Sequence, residues 1–181
     1  MQDKQNYVFK ETLRDGTPIT LRAARADDGP KIRRAFKNLN RDTIYTRFFG
    51  FKSDVSDAEL ERITGADFDH DVALLVTIGS GDEEVVVAGA SYAVVETDPA
   101  ARSAEIAFTV EEDFQGLGIA GLLLRHLVRI ARQKNLAYLK ADVLPRNLPM
   151  LAVFRRSGLP ITLKHDGDVI QVALSLSEAV V

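Results

Sequence analysis

The sequence predicts one α/β domain over residues 1–181, on the basis of three observations. β-branched runs typical of strands alternate along the chain with helical patterns. No internal repeat and no linker-like stretch divides the chain. The length of 181 residues, with 46% hydrophobic and 27% charged residues, is ordinary for one soluble domain with a real core.

The first half of the chain predicts a hairpin, three helical segments and two long strands. Asp15-Gly16 is a hairpin dipeptide between two strand-like runs. Asp27 can cap the first helix, which tolerates Pro30 in its first turn, and Ser56 opens a capping box for the third. The segments are strands over 10–13 and 18–23, helices over 27–39 and 41–49, a helix from 56 to Gly65, and strands over 72–78 and 85–95.

The second half alternates strands with helices and ends on another hairpin. The helix from about 118 to 134 carries a continuous apolar face. Gly158 is placed to end the last helix, and Asp166-Gly167 marks the hairpin. The segments are a strand over 104–110, the helix over 118–134, a strand over 138–144, a helix over 147–157, and strands over 161–164 and 169–176.

Composition and charge restrict the possible partners. A net charge of −3 argues against general nucleic-acid binding, which needs a strongly basic face. The lack of cysteine excludes a disulfide, a thiolate nucleophile and a Cys-ligated metal, and fits a reducing cytoplasm. The polar N-terminus has no signal-peptide core, and no apolar run approaches membrane-spanning length. We therefore expect a cytoplasmic protein without nucleic-acid or membrane partners.

The most informative stretch is the loop Val110-Glu-Glu-Asp-Phe-Gln115-Gly-Leu-Gly-Ile-Ala120, between a strand and a long helix. A glycine-rich turn at a helix start exposes unpaired backbone N–H groups at the positive end of the helix dipole. Such a cluster is a ready site for phosphate. The sequence therefore predicts a phosphate compound as ligand.

The loop admits three other interpretations. Gly116-x-Gly118-x-x-Gly121 matches the dinucleotide fingerprint, with Asp142 about 20 residues further on. However, only 60 residues follow Gly121, too few for the repeated strand–helix units of a doubly wound sheet. A P-loop is excluded because no Gly-Lys-Ser/Thr follows the glycines. The third interpretation is that the glycines merely turn the chain into a helix.

A second motif favours one family. The segment Asn147-Leu-Pro-Met150-Leu-Ala-Val-Phe154-Arg-Arg-Ser-Gly158-Leu159 follows the loop at the spacing seen in the GNAT superfamily of acyl-CoA-dependent N-acyltransferases. Together with Gln115-x-x-Gly118-x-Ala120, it resembles the cofactor-binding motifs of that family. The resemblance implies a mixed sheet of about seven strands, flanked by helices, whose two central strands splay apart.

The resemblance also implies a cofactor site for acetyl-CoA, without a metal. The backbone amides of Gln115, Gly116, Leu117, Gly118, Ile119 and Ala120 would cradle its diphosphate, and the Gln115 side chain can add a hydrogen bond. The N–H of Val110 would face the thioester carbonyl. Asn147 would bind the cofactor arm or only cap its helix. Phe154 stands where the family often has a tyrosine that protonates the leaving thiolate, so the proton donor is not identified.

Glu105 is the candidate general base. A lysine amine has a pKa of about 10.4, so a base must assist its attack at neutral pH. Glu105 lies in an otherwise apolar strand, where several family members carry such a glutamate. The alternative is an ordinary glutamate at a solvated strand end. The three histidines, His70, His126 and His165, have no ligand-like spacing, so we expect no metal.

The acceptor is indicated by the segment from Leu39 to Phe49, which contains three aromatic residues. It is similar to a stretch in bacterial protein-lysine acetyltransferases, whose substrates include acyl-CoA synthetases. Its aromatic residues can equally be core residues of a helix. The leading hypothesis is therefore a protein-lysine N-acetyltransferase. The alternatives are an acetyltransferase of small amines and a catalytically silent acyl-CoA-binding module.

Overall fold

The computed structural model describes residues 3–48, 54–95, 98 and 100–177. Strands and helices follow the predicted order, and Phe49 of the acceptor segment lies outside the described residues. The strands are β1 (Val8–Thr12), β2 (Pro18–Ala23), β3 (Asp71–Ile78), β4 (Val85–Val95), β5 (Ser103–Val110), β6 (Tyr138–Val143), β7 (Ile161–Asp166) and β8 (Val169–Ser175). The helices are α1 (Gly29–Lys37), α2 (Arg41–Phe48), α3 (Asp57–Thr64), α4 (Ile119–Gln133) and α5 (Leu148–Arg155).

In the described part of the chain, eight strands form one sheet in the order β1-β2-β3-β4-β5-β6-β8-β7. Neighbouring strands are antiparallel except β5 and β6, which are parallel. The predicted mixed sheet is thus confirmed, with eight strands in place of about seven. A doubly wound parallel sheet, which the dinucleotide interpretation required, is not what this chain forms.

Helices pack on both faces of the sheet because successive side chains of a strand point to opposite faces, and β3 is apolar and buried on both. α4 covers β3, β4 and β5 on one face, where Leu74 belongs to the main core. On the other face, Ala73 and Leu75 of β3 form a second cluster with Ile32 of α1 and Ile63 of α3. α2 packs on β5 of the described sheet.

The central strands part soon after they begin. β5 and β6 pair over only three residues each, Ser103–Glu105 with Tyr138–Lys140, whereas β5 pairs with β4 along its whole length. From Ile106 onwards, the edge of β5 that faces β6 pairs with no strand in the described part of the chain. This is the predicted splay.

The start of α1 differs from the sequence expectation. Asp28, and not Asp27, occupies the N-cap position, and its side chain makes no capping hydrogen bond. Its carboxylate instead accepts hydrogen bonds from both Nη atoms of the buried Arg22, each at 2.8 Å, and from the Arg25 amide. Burial alone would raise the pKa of the Asp28 carboxyl, but these hydrogen bonds lower it below its usual value. A charge pair to β2 therefore replaces the predicted cap.

The remaining helix ends follow their sequence signals more closely. Ser56 and Glu59 form the predicted capping box of α3, with Gly65 as the C-cap. α5 ends at Arg155, two positions before the predicted Ser157, and its C-cap is Arg156 rather than the predicted Gly158. Gly158 turns the chain two residues later, at a φ of +78°. Only glycine adopts such a conformation readily.

Candidate functional site

A cleft of about 2160 Å³ opens where β5 and β6 part. Its lining brings together residues from β5, the β5–α4 loop, α4 and α5. Of the residues predicted for the site, those that line it are Glu105, Val110, Gln115, Gly116, Gly118, Ile119, Ala120, Asn147 and Phe154. Leu117 is not among the lining residues, since its half-buried side chain packs against the core.

The free edge of β5 turns its backbone groups into this cleft. The Glu111 amide donates to the Val87 carbonyl of β4, so the backbone N–H and C=O of the preceding residue point away from β4. Val110 accordingly directs its N–H and C=O toward the splay, as do Ile106 and Phe108 by the same alternation. Buried backbone groups need partners, so this edge favours a ligand that can hydrogen-bond like a strand.

The glycines of the loop shape the start of α4. Gly116 and Gly118 have φ values of +77° and +89°, in the left-handed region that favours glycine. Gly118 is the N-cap of α4, with no side-chain capping bond and no acidic residue in the first turn. The first amides of α4 therefore form a positive, uncapped end beside the cleft, which suits an anion. Gly121 is different: a Cβ built there would meet nothing within 4 Å, so it does not serve the close packing that a dinucleotide fingerprint requires.

Arg14 is a cleft residue that the sequence did not suggest. It lies in the turn between β1 and β2, and its Nε is 3.4 Å from where a Cβ on Gly118 would be. The two residues are far apart in sequence, so only the folded sheet brings the guanidinium to the loop. No local pattern around Arg14 could have announced this contact.

Gln115 lies at the centre of a small hydrogen-bond network. Its Nε2 donates to the Val110 carbonyl at 3.0 Å and to Thr43 Oγ1 at 3.3 Å. The side chain predicted to meet a phosphate thus links the free edge of β5 with α2. Thr43 is a second residue that the motif did not identify.

The two predicted residues of α5 have distinct environments. Asn147 caps the helix, because its Oδ1 accepts the Met150 amide at 3.3 Å. Phe154 is 0% exposed and packs edge-on against Phe108, with ring centres 6.0 Å apart. The capping alternative for Asn147 is therefore confirmed, while its contact with a cofactor stays a prediction.

Glu105 lies at the point where the strands begin to part. It is paired with Lys140 in the last β5–β6 register position, and its side chain is exposed on the face that carries α1–α3. Lys140, Asp142 and Lys164 are also exposed and line the same cleft. The carboxylate is thus open to solvent and to a large partner, rather than enclosed in an apolar pocket. Its role as a base stays a prediction.

The histidines of the chain were not predicted to bind a metal, and of these His126 has a defined environment in the core. Within the described ranges, no group of three or more His, Asp or Glu side chains could hold a metal ion. His126 is buried, and its Nδ1 is 2.6 Å from Tyr7 Oη. Burial lowers the pKa of His126 below its usual value. None of the helices in the described part of the chain has both the length and the apolarity to cross a membrane.

The fold and the cleft define a class of protein, and comparison with known families agrees. The Acetyltransferase (GNAT) family matches residues 38–159, which include the loop, Glu105 and α5. The chain belongs to this family.

Its relatives are acetyltransferases. Acetyltransferase PA5475 of Pseudomonas aeruginosa is 29% identical over 125 residues, covering 69% of this chain and 66% of that protein. Acetyltransferase Pat of Mycolicibacterium smegmatis is 29% identical over 165 residues, covering 91% of this chain and 47% of that protein. The crystal structure of the GNAT domain of S. lividans PAT has a TM-score of 0.84 and 28% identity, covering 93% of this chain and 96% of that one. The chain thus spans less than two thirds of the length of either full-length relative.

Proposed function

We propose that the protein transfers an acetyl group from acetyl-CoA to a primary amine, and that the amine is a lysine side chain of another protein. The observation that carries the lysine assignment is the open cleft around Glu105. A small-amine enzyme calls for an enclosed, acidic acceptor pocket, whereas the exposed Lys140, Asp142 and Lys164 leave room for a protein surface. The likeness of residues 39–49 to protein-lysine acetyltransferases supports the same choice.

The residues around the splay fit the cofactor. The uncapped amides at Gly118 and the first turn of α4 offer donors for the diphosphate, and glycine lets the backbone approach closely. The free edge of β5 offers N–H and C=O groups to the amide-containing arm. The N–H of Val110 would stabilise the charge that develops on the thioester oxygen.

The reaction follows as direct attack within a ternary complex. The acceptor Nζ forms a bond to the acetyl carbon as the C–S bond breaks, and the thiolate leaves with the electron pair. Glu105 takes the proton of the amine, directly or through a water molecule. The thiolate, with a thiol pKa of about 8.5, takes a proton from water, because Phe154 has none to give.

The test measures release of free thiol and modification of the acceptor together. The protein is incubated with acetyl-CoA and one acceptor at a time. The acceptors are an acyl-CoA synthetase, lysine peptides, a polyamine and an aminoglycoside. We expect thiol release with a protein or peptide acceptor, and a mass increase of one acetyl group on a lysine. In Glu105→Gln, the rate of thiol release should fall by about 10²-fold or more. Glu83→Gln, an exposed glutamate in the β3–β4 turn, is the matched control.

Three results would contradict the proposal in different ways. Turnover confined to small amines would replace the lysine assignment. Binding of acetyl-CoA without turnover on any acceptor would favour a silent acyl-CoA-binding module. Absence of binding, seen as no shift in thermal unfolding at high acetyl-CoA, would refute the cofactor itself.

A further inference from the structure

α2 contacts both sides of the splay. On the β5 side, the amide of Asn40, just before α2, donates to Glu112 Oε1 at 2.8 Å. One turn later, Thr43 Oγ1 accepts the Gln115 side chain at 3.3 Å. Both partners lie in the loop between β5 and α4, so this end of α2 is fastened to the predicted diphosphate loop.

On the β6 side, Arg146 reaches α2. Arg146 lies between β6 and α5, and its Nη1 is 3.1 Å from Asp42 Oδ1. The same guanidinium lies over the Tyr45 ring, 5.0 Å from its centre. Two different side chains of α2 therefore hold one arginine of the opposite side.

These contacts place α2 across the opening of the splay. The loops that bear Gln115 and Arg146 follow the carboxyl ends of two parallel strands, which lie at the same edge of the sheet. Between them lies the free edge of β5, on which α2 packs. Asp42 and Thr43 of α2 are among the residues that line the cleft.

We propose that α2 is a strap over the extended arm of acetyl-CoA, and that Arg146 is the positioning residue that holds this strap on the β6 side. The inference rests on the proposed function, since the arm is that of the proposed cofactor. The arm must run from the diphosphate loop along the free edge of β5, which lies beneath α2. The strap then slows release of the arm, and it sets the side from which an acceptor reaches Glu105.

The contacts of Arg146 are exposed, so a modest effect is expected. The ion pair partners are 57% and 71% exposed, which places the pair among those of small net value. Together with an exposed cation–π contact, its loss corresponds to about a five-fold change in an equilibrium or rate constant.

The test distinguishes an effect on the arm from an effect on the nucleotide. Dissociation rates are measured by stopped-flow competition for acetyl-CoA and for 3′-phosphoadenosine 5′-diphosphate, which lacks the arm. In Arg146→Ala, acetyl-CoA should leave about five-fold faster, while the nucleotide changes by less than about two-fold. Arg146→Lys keeps the charge and should give an intermediate rate. Arg34→Ala, which removes an exposed arginine from α1, should match the unmodified protein for both ligands.

A second measurement does not depend on any ligand. Amide hydrogen exchange over residues 41–48 should be about five-fold faster in free Arg146→Ala than in free Arg34→Ala. Equal exchange in the two variants would overturn the strap. If both ligands dissociate faster from Arg146→Ala by the same factor, Arg146 acts in nucleotide binding, and its assigned role is overturned.

Failure of the strap and failure of the proposed function give different patterns. If the unmodified protein binds acetyl-CoA but Arg146→Ala releases it at the same rate, only the strap is refuted. If the unmodified protein binds neither ligand, the assignment of acetyl-CoA as the cofactor is refuted, and the strap has no proposed ligand beneath it.

Discussion

Adding one methyl group at Gly118 or at Gly121 should have opposite effects. At Gly118, φ is +89°, where a non-glycine residue costs about 1–2 kcal/mol, and the new Cβ would contact the Arg14 guanidinium at 3.4 Å. At Gly121, within α4, the same methyl group meets nothing within 4 Å and should contribute about 0.5–1 kcal/mol of helix propensity. The two alanine variants should therefore differ by about 2 kcal/mol, or roughly 4–8 °C in Tm.

The same pair of variants tests the cofactor loop. Relief of the strain in Gly118→Ala requires the loop to rotate, which moves the amides that would hold the diphosphate. We expect about a ten-fold weaker Kd for acetyl-CoA in Gly118→Ala and no loss in Gly121→Ala. Calorimetric titration and urea unfolding measure both effects. The reasoning is refuted if the two variants are equally stable, or if Gly121→Ala weakens binding as strongly, because the third glycine matters only in a dinucleotide fingerprint.

Three further predictions concern buried groups. Asp28→Ala should cost about 3 kcal/mol in urea unfolding, because it leaves the buried Arg22 guanidinium without its main partner; a cost below about 1 kcal/mol would contradict this. Burial holds the pKa of His126 below that of the unfolded chain, so the unfolded state takes up the proton first and stability falls as pH drops below about 6.5. His126→Gln should flatten that decline between pH 7 and pH 5, and an unchanged slope would refute the assignment. Phe154→Tyr should raise kcat for thiol release by up to about ten-fold by offering a proton donor; lower stability without faster release would show that its hydroxyl points away from the reaction.

Much of the fold could be predicted because its signals are local. The capping box at Ser56, the hairpin at Asp15-Gly16 and the glycines of the β5–α4 loop each specify a backbone conformation within a few residues. The splay was different in kind. Nothing in the β-branched run of β5 indicates where β6 leaves it, and only the resemblance to a family supplied that feature.

The residues that sequence reasoning missed act over long distances in the chain. Arg14 comes to the cleft from the β1–β2 turn, Thr43 from α2 and Arg146 from the β6–α5 connection, and no periodicity or motif links them. The error at Asp27 has a related cause. A carboxylate at a helix start normally caps it, but Arg22 of β2, buried beneath α1, attracts the next aspartate instead. Tertiary electrostatics therefore overrode a local signal.

The departure of β6 from β5 connects the cofactor site with the acceptor side. A strand edge inside a domain requires hydrogen-bond partners, and the free edge of β5 finds one at Val110, whose carbonyl accepts Gln115. The Gln115 amide also reaches Thr43 on α2, so an anion that draws this side chain away must alter the contact between loop and helix. Occupation of the diphosphate loop and the position of α2 are therefore coupled through the Gln115 side chain, beside the hydrogen bond from Asn40 to Glu112. Thr43→Val removes that link, while the hydrogen bond from Asn40 to Glu112 stays. It should therefore reduce the effect of the nucleotide on hydrogen exchange in α2, and an effect as large as in the unmodified protein would refute this coupling.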